Sequence, residues 1–137
     1  MIPQFVLDAL TYEQREHQWN QALVDGESGV FVAQSGGDVA GFACGCRNRD
    51  PDYEPAYPGE LQSIYLLERY QQQGLGRALF DAARTWLKAQ GLVPFMLWVV
   101  TDNPACAFYE RLGGTRIVTR PTDVRGANVI ESGYAWR

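Results

Sequence analysis

The 137-residue sequence predicts one α/β domain: a mixed sheet of about six strands with helices covering its faces. Three observations predict it. The centre of the chain reads strand, glycine turn, helix, buried strand, which is the order of a parallel β-α-β unit. The segments on either side read as strands, paired before the unit by the hairpin signal "GGD" and joined after it by a loop with Pro121 and Gly126. Hydrophobic residues make up 46% of the chain and charged residues 20%, which is ordinary for a globular domain with a real core.

In order along the chain, "TYEQREHQWNQALV" (11–24) reads as a helix, with Thr11 and Gln14 at capping-box spacing and Gly26 and Gly29 beyond its end. "GVFVAQS" (29–35) and "VAGFACGCR" (39–47) are strands joined by the hairpin signal "GGD". "NRDPDYEPAYPG" (48–59) holds three prolines and is a loop. "ELQSIYLLE" (60–68) is a strand. From about Gly74 to Gln90, Leu75, Leu79, Ala82, Ala83, Trp86 and Leu87 recur at helical spacing, and Gly91 stops the helix. "PFMLWVVT" (94–101) is almost wholly apolar, as expected of a strand buried on both faces. A short helix follows, with Asn103 as cap, Pro104 in the first turn and Gly113 as stop. "TRIVTR" (115–120) and "NVIESGYAWR" (128–137) are the last two strands. No repeat or linker divides residues 1–137.

The net charge of −4 and a pI of about 4.9 argue against a nucleic-acid partner. No apolar run reaches the roughly 18 residues of a membrane helix, so no membrane partner is expected. Three cysteines cannot all pair, and the N-terminus lacks a signal-peptide pattern; both fit a reducing cytoplasm. Cys44 and Cys46 share a strand face, but a metal would need two more ligands and the one histidine, His17, lies on a distant segment. No metal is expected. Trp19, Trp86 and Trp98 read as core or helix–sheet packing, and Trp136 as core or rim.

The turn "YQQQGLGRAL" (70–79) opens a helix without Ser, Thr, Asp or Asn to take its first N–H groups. A helix start of this kind can bind an anion through free amides and the helix dipole. The sequence lacks the Gly-Lys-Ser/Thr of a P-loop, and Leu79 stands where a dinucleotide fingerprint needs its third glycine. What remains is Gln71-x-x-Gly74-x-Gly76. A ligand phosphate as the missing cap is one reading; a glycine-rich turn without a ligand is the other.

Residues 60–91 followed by "LWVVTDNPACAFYERLGG" resemble the GNAT superfamily of acetyl-CoA-dependent N-acetyltransferases. The family's Arg/Gln-x-x-Gly-x-Gly/Ala motif matches Gln71, Gly74 and Gly76. Its asparagine and helix match Asn103 and Ala107-Phe108-Tyr109-Glu110. Gln72-Gln73 departs from the family's usual Gly-Lys, so a glycine and a cation are missing, and Arg77 is a candidate to supply charge. The resemblance implies a mostly antiparallel sheet and acetyl-CoA as cosubstrate. Backbone groups of Ile64, Tyr65 and Leu66 would pair with the pantetheine arm. The amides of Gln72, Gln73, Gly74, Leu75, Gly76 and Arg77 would hold the pyrophosphate. Asn103 would lie near the thiol end, where Cys106 lines the cleft.

It further implies Tyr109 as the acid that protonates the departing thiolate and Glu60 as the base, through water, that takes the amine's proton. The competing readings are packing for Tyr109, an exposed strand-end carboxylate for Glu60 and a plain N-cap for Asn103. The acceptor would be an amine of a small molecule or peptide, with Asp52, Glu54 and Glu60 favouring a cationic one. A non-catalytic acyl-CoA-binding module is the alternative function. The family's usual first strand and first helix are not evident before residue 11. The strand at 29–35 is therefore expected at an open edge, with association into a homodimer as the consequence.

Overall fold

A computed structural model describes residues 19–23, 28–35, 38–67 and 74–137. The architecture is a mixed, mostly antiparallel sheet with two helices. Its strands are β1 (Trp19–Leu23), β2 (Gly29–Ser35), β3 (Asp38–Arg47), β4 (Gly59–Leu66), β5 (Phe95–Val100), β6 (Thr115–Val124) and β7 (Ala127–Trp136). Helix α1 spans Leu75–Ala89 and α2 spans Ala105–Arg111. The strands lie in the order β1-β2-β3-β4-β5-β7-β6, and only β4 and β5 run parallel.

Strand β1 corrects the sequence reading. Residues 19–23 were expected inside a helix over 11–24; they form a strand that pairs antiparallel with β2, Trp19 opposite Ala33 and Leu23 opposite Gly29. β2 is thus an inner strand, and the expected open edge at 29–35 is closed by β1. A free row of N–H and C=O groups on β2 outweighs the weak helix preference of a five-residue segment. The remainder of the predicted helix, residues 11–18 with His17, lies outside the described residues.

The core fills the space between the sheet and α1. Leu75, Leu79, Phe80, Ala83 and Leu87 are the buried positions of α1, one face at helical spacing. They meet Phe31, Ala43, Leu61, Phe95, Leu97, Tyr134 and Trp136 from the sheet. Phe95 and Trp136 stack at 5.3 Å between ring centres, and Phe80 tilts against Trp136 at 5.0 Å. Trp136 therefore belongs to the core. Gly29 lies flat beneath the Trp86 indole, where a Cβ would come within 2.7 Å of the ring. Both helices end alike. In α1, Gly91 N–H donates to Lys88 O and Leu92 N–H to Leu87 O; in α2, Gly113 N–H donates to Glu110 O and Gly114 N–H to Tyr109 O. Each is a Schellman turn on a glycine with positive φ.

Candidate active site

The parallel ladder between β4 and β5 holds two residue pairs only, Gly59 with Phe95 and Glu60 with Met96. Beyond Glu60 the strands part. The cause is local: opposite Cys44 and Gly45, β4 carries an extra residue, since Cys44 pairs with Ser63 and Gly45 with Leu61. Gln62 is thus a β-bulge, and a bulge bends its strand and increases its twist. From there on β4 keeps its register with β3, Ile64 opposite Ala43, Tyr65 opposite Phe42 and Leu66 opposite Gly41. The split opens a cleft whose one wall is a strand edge with no β5 partner.

Helix α1 begins at the open end of this cleft. Gly74 has φ 81° and ψ −2°, no side chain among the described residues caps the first turn, and no acid stands in it. A Cβ on Gly74 would touch nothing within 4 Å, so the glycine is required by its left-handed backbone and not by crowding. At Gly76 a Cβ would come within 3.2 Å of Phe108 Cζ, so this glycine lets α2 pack on the first turn of α1. Leu75 is buried, and Arg77 is exposed on the outer face of α1. Gln71, Gln72 and Gln73 lie outside the described residues.

The second wall is β5 and α2. Asn103 Oδ1 accepts the Ala105 N–H at 2.8 Å, so Asn103 caps α2 as its sequence context predicts. The Cys106 thiol donates to Val100 O and Thr101 O, both at 3.6 Å. Tyr109 is 7% exposed and packs its ring among Phe108, Tyr134 and Trp136. Burial, and then the neighbouring Cys106, push its hydroxyl up to about 12. Its hydroxyl donates no hydrogen bond among the described residues. Tyr134 donates to Glu110 Oε2 at 2.6 Å, and burial raises its pKa as well.

Glu60 does not sit exposed at a strand end; it is 4% exposed. Its Oε1 accepts the Arg49 backbone N–H and Arg49 Nε, both at 3.1 Å, and its Oε2 accepts Arg49 Nη2 at 2.8 Å. That pairing raises the Arg49 pKa. A second cluster was not foreseen at all. The Arg120 guanidinium lies 3.6 Å over the Trp98 ring and pairs with Asp50 and Glu131, each at 2.7 Å. Tyr53 meets Trp98 edge-on at 5.2 Å. Trp98 therefore joins the loop after β3 to the β5–β7 half of the sheet rather than packing under a helix. Of the other acids proposed for the acceptor cleft, Glu54 pairs with Arg47 at 3.3 Å and Asp52 is exposed. Arg49 and Arg120 escaped the sequence reading because their partners lie 11 and 70 residues away.

A split sheet with a strand edge on one side and a helix start at its mouth is an architecture suited to an extended ligand that carries an anionic end. Residues 2–114 match the Acetyltransferase (GNAT) family, and the chain belongs to that family of acetyltransferases. It is 35% identical over 137 residues to the uncharacterized N-acetyltransferase YuaI of Bacillus subtilis, covering 99% of this chain and 76% of that protein. It is 36% identical over 126 residues to a mycothiol acetyltransferase of Amycolatopsis mediterranei, covering 85% of this chain but 38% of that longer protein. Among solved structures, a Bacillus anthracis protein in complex with acetyl coenzyme A superposes with a TM-score of 0.71 at 18% identity, over 83% of this chain and 64% of that one. The Salmonella typhimurium protein yncA, solved with its cofactor acetyl-CoA, gives 0.66 at 22% identity, over 80% and 64%. Among the described residues, no helix is long and apolar enough to cross a membrane, and no group of three or more His, Cys, Asp or Glu is placed to hold a metal ion.

Proposed function

We propose that the protein transfers the acetyl group of acetyl-CoA to an amine of a small molecule or peptide, by direct attack of the amine on the thioester. The observation that carries this is the cleft: β4 leaves β5 after two residue pairs, and α1 starts at its mouth with no side-chain cap. The residues fit the cosubstrate. An extended arm can add to β4 beyond its last pair with β5, along Ile64 and Tyr65 towards Leu66, as a strand would. The first amides of α1, from Gly74 to Arg77, suit a pyrophosphate; Gln71, Gln72 and Gln73 precede them in the proposed cradle. Asn103 and Cys106 border the thiol end. Relatives named as acetyltransferases, and structural neighbours solved with acetyl-CoA, support the assignment.

Tyr109 is assigned the leaving thiolate and Glu60 the amine's proton. With its pKa at about 12, the Tyr109 hydroxyl stays protonated at neutral pH. Full transfer to a thiolate of pKa about 8.5 would be uphill by roughly 5 kcal/mol, so the hydroxyl acts mainly by hydrogen-bonding the developing thiolate. A carboxylate offers about four acceptor positions, and Arg49 fills three of those on Glu60. The fourth is left for a water that relays the proton.

The occupied state of Glu60 also favours a second reading, a non-catalytic acyl-CoA-binding module. A panel of amines assayed for CoA thiol release, beside calorimetry with acetyl-CoA, separates the two. Turnover of any amine supports the enzyme; tight binding with no turnover across the panel supports the module.

A further inference from the structure

Glu60 is the only carboxylate among the fully buried polar residues that the structure describes; the others are Gln34, Asn48 and Ser132. A buried carboxylate is costly unless it is paired and hydrogen-bonded. Its counter-ion is of an unusual kind. The Glu60 side chain is 5% exposed and the Arg49 side chain 59%. Arg120, by contrast, is fixed by two carboxylates and the face of Trp98. Among the described residues, no ring and no second carboxylate holds the Arg49 guanidinium. Its long, largely exposed side chain can swing into water once its two bonds to Glu60 are broken. The Arg49 backbone N–H would stay on Oε1 and keep the carboxylate aimed. Glu60 also stands at the apex of the cleft, in the last pair before β4 and β5 part.

We propose that Arg49 is a displaceable internal cation, standing where the acceptor's ammonium group binds. This rests on the acetyltransferase reading of the cleft. The acceptor is then a primary amine that arrives protonated. Its N–H donors take the places of Arg49 Nε on Oε1 and Nη2 on Oε2. With Arg49 swung out, ammonium and carboxylate meet directly, and the relaying water that the Arg49-paired state needs is no longer required. One proton passes from nitrogen to Glu60 and on to solvent, and the freed lone pair attacks the thioester carbon. The C–N bond forms, the C–S bond breaks, and the second nitrogen proton ends on the thiol. Neutral or anionic acceptors gain nothing from displacing Arg49.

The test uses simple cations and needs no cofactor. Thermal unfolding of wild type, Arg49→Ala and Arg49→Ala/Glu60→Gln is compared in propylammonium and tetramethylammonium chloride at equal ionic strength. Propylammonium, which has N–H donors, should raise the Tm of Arg49→Ala by roughly 2–4 °C, since a ligand that binds only the folded state stabilises it. Tetramethylammonium, which has none, should not. Wild type, where Arg49 competes for the carboxylate, should respond less than Arg49→Ala, and the double variant, lacking the carboxylate, should not respond. Should Arg49→Ala fail to fold, Arg49→Gln carries the same measurement. For any cationic amine that wild type acetylates, Arg49→Ala should lower KM about 5- to 10-fold; a purely structural bridge would leave KM equal or higher. Equal response of Arg49→Ala to the two cations overturns the proposal. Acetyl-CoA calorimetry on wild type tests the acetyltransferase reading separately.

Discussion

Helix α1 starts at Gly74 with no side chain of the described residues on its first amides, whereas α2 starts beneath Asn103, whose Oδ1 takes the Ala105 N–H. Both helices border one cleft and both end in the same glycine turn. The difference at their starts is one of purpose. In α2 the backbone is satisfied from within, and the helix offers side chains, Cys106 and Tyr109. In α1 the exposed Arg77 is the one charge of the first turn, and the helix offers its backbone. A self-satisfied helix start is a scaffold; an unsatisfied one is half of a binding site.

The largest expected effect comes from closing the α1 start. Gly74→Val forces a β-branched residue to φ 81° and sets a side chain over the amides. The backbone strain costs about 1–2 kcal/mol, which the domain should survive. Loss of two charge-assisted hydrogen bonds at about 2 kcal/mol each lowers acetyl-CoA affinity by about 10³-fold. Unchanged affinity by calorimetry in a folded variant would show that α1 does not use its amides. On α2, Tyr109→Phe keeps the ring among Phe108, Tyr134 and Trp136. It should lower kcat roughly 10- to 10³-fold with acetyl-CoA affinity nearly unchanged. A wild-type rate, with chemistry shown to be rate-limiting, would make Tyr109 a packing residue.

The raised pKa of Tyr109 gives a third test. A tyrosine whose pKa rises from 10 to about 12 on folding favours the neutral form in the native state. Its stabilisation is complete below pH 10 and is lost as pH rises through about 12, a change of about 2–3 kcal/mol. Denaturant melts should weaken across that window, and less so in Tyr109→Phe; Tyr134, shifted the same way, contributes the remainder. The smallest effect is Asn103→Ala, about 1 kcal/mol from the lost cap, or about 3–5 °C in Tm. A much larger drop in acetyl-CoA affinity than in stability would mean that Asn103 touches the ligand.

Both helix starts were legible in the sequence because each depends on residues within a few positions: Gly74 and Gly76 in one, Asn103 and Pro104 in the other. Strand β5 was legible for the same reason, an apolar run long enough to name its environment. Residues 19–23 were not, since "WNQAL" suits a helix on its own and becomes a strand through pairing with β2. The state of Glu60 was not legible either. The sequence supplied a carboxylate at the head of a strand, but its burial follows from the loop that brings Arg49 back onto it. The Arg120–Trp98 stack joins residues on strands separated in sequence by α2, and no local pattern reports it.

Strand β7 sits between β5 and β6 and brings Tyr134 and Trp136 into the aromatic centre of the core. On the ribosome these residues are made after every other part of that centre. Phe80 and Phe95 emerge first and have only each other, at 6.0 Å between ring centres, until Trp136 follows. A nascent chain halted in the turn before β7 therefore carries a finished α1 and an open aromatic face. Synthesis at about 5–20 residues per second keeps that face uncovered for several seconds after β5 has been made. In that interval the exposed face is open to association, and the β6–β7 hairpin acts as the late closure of the aromatic core.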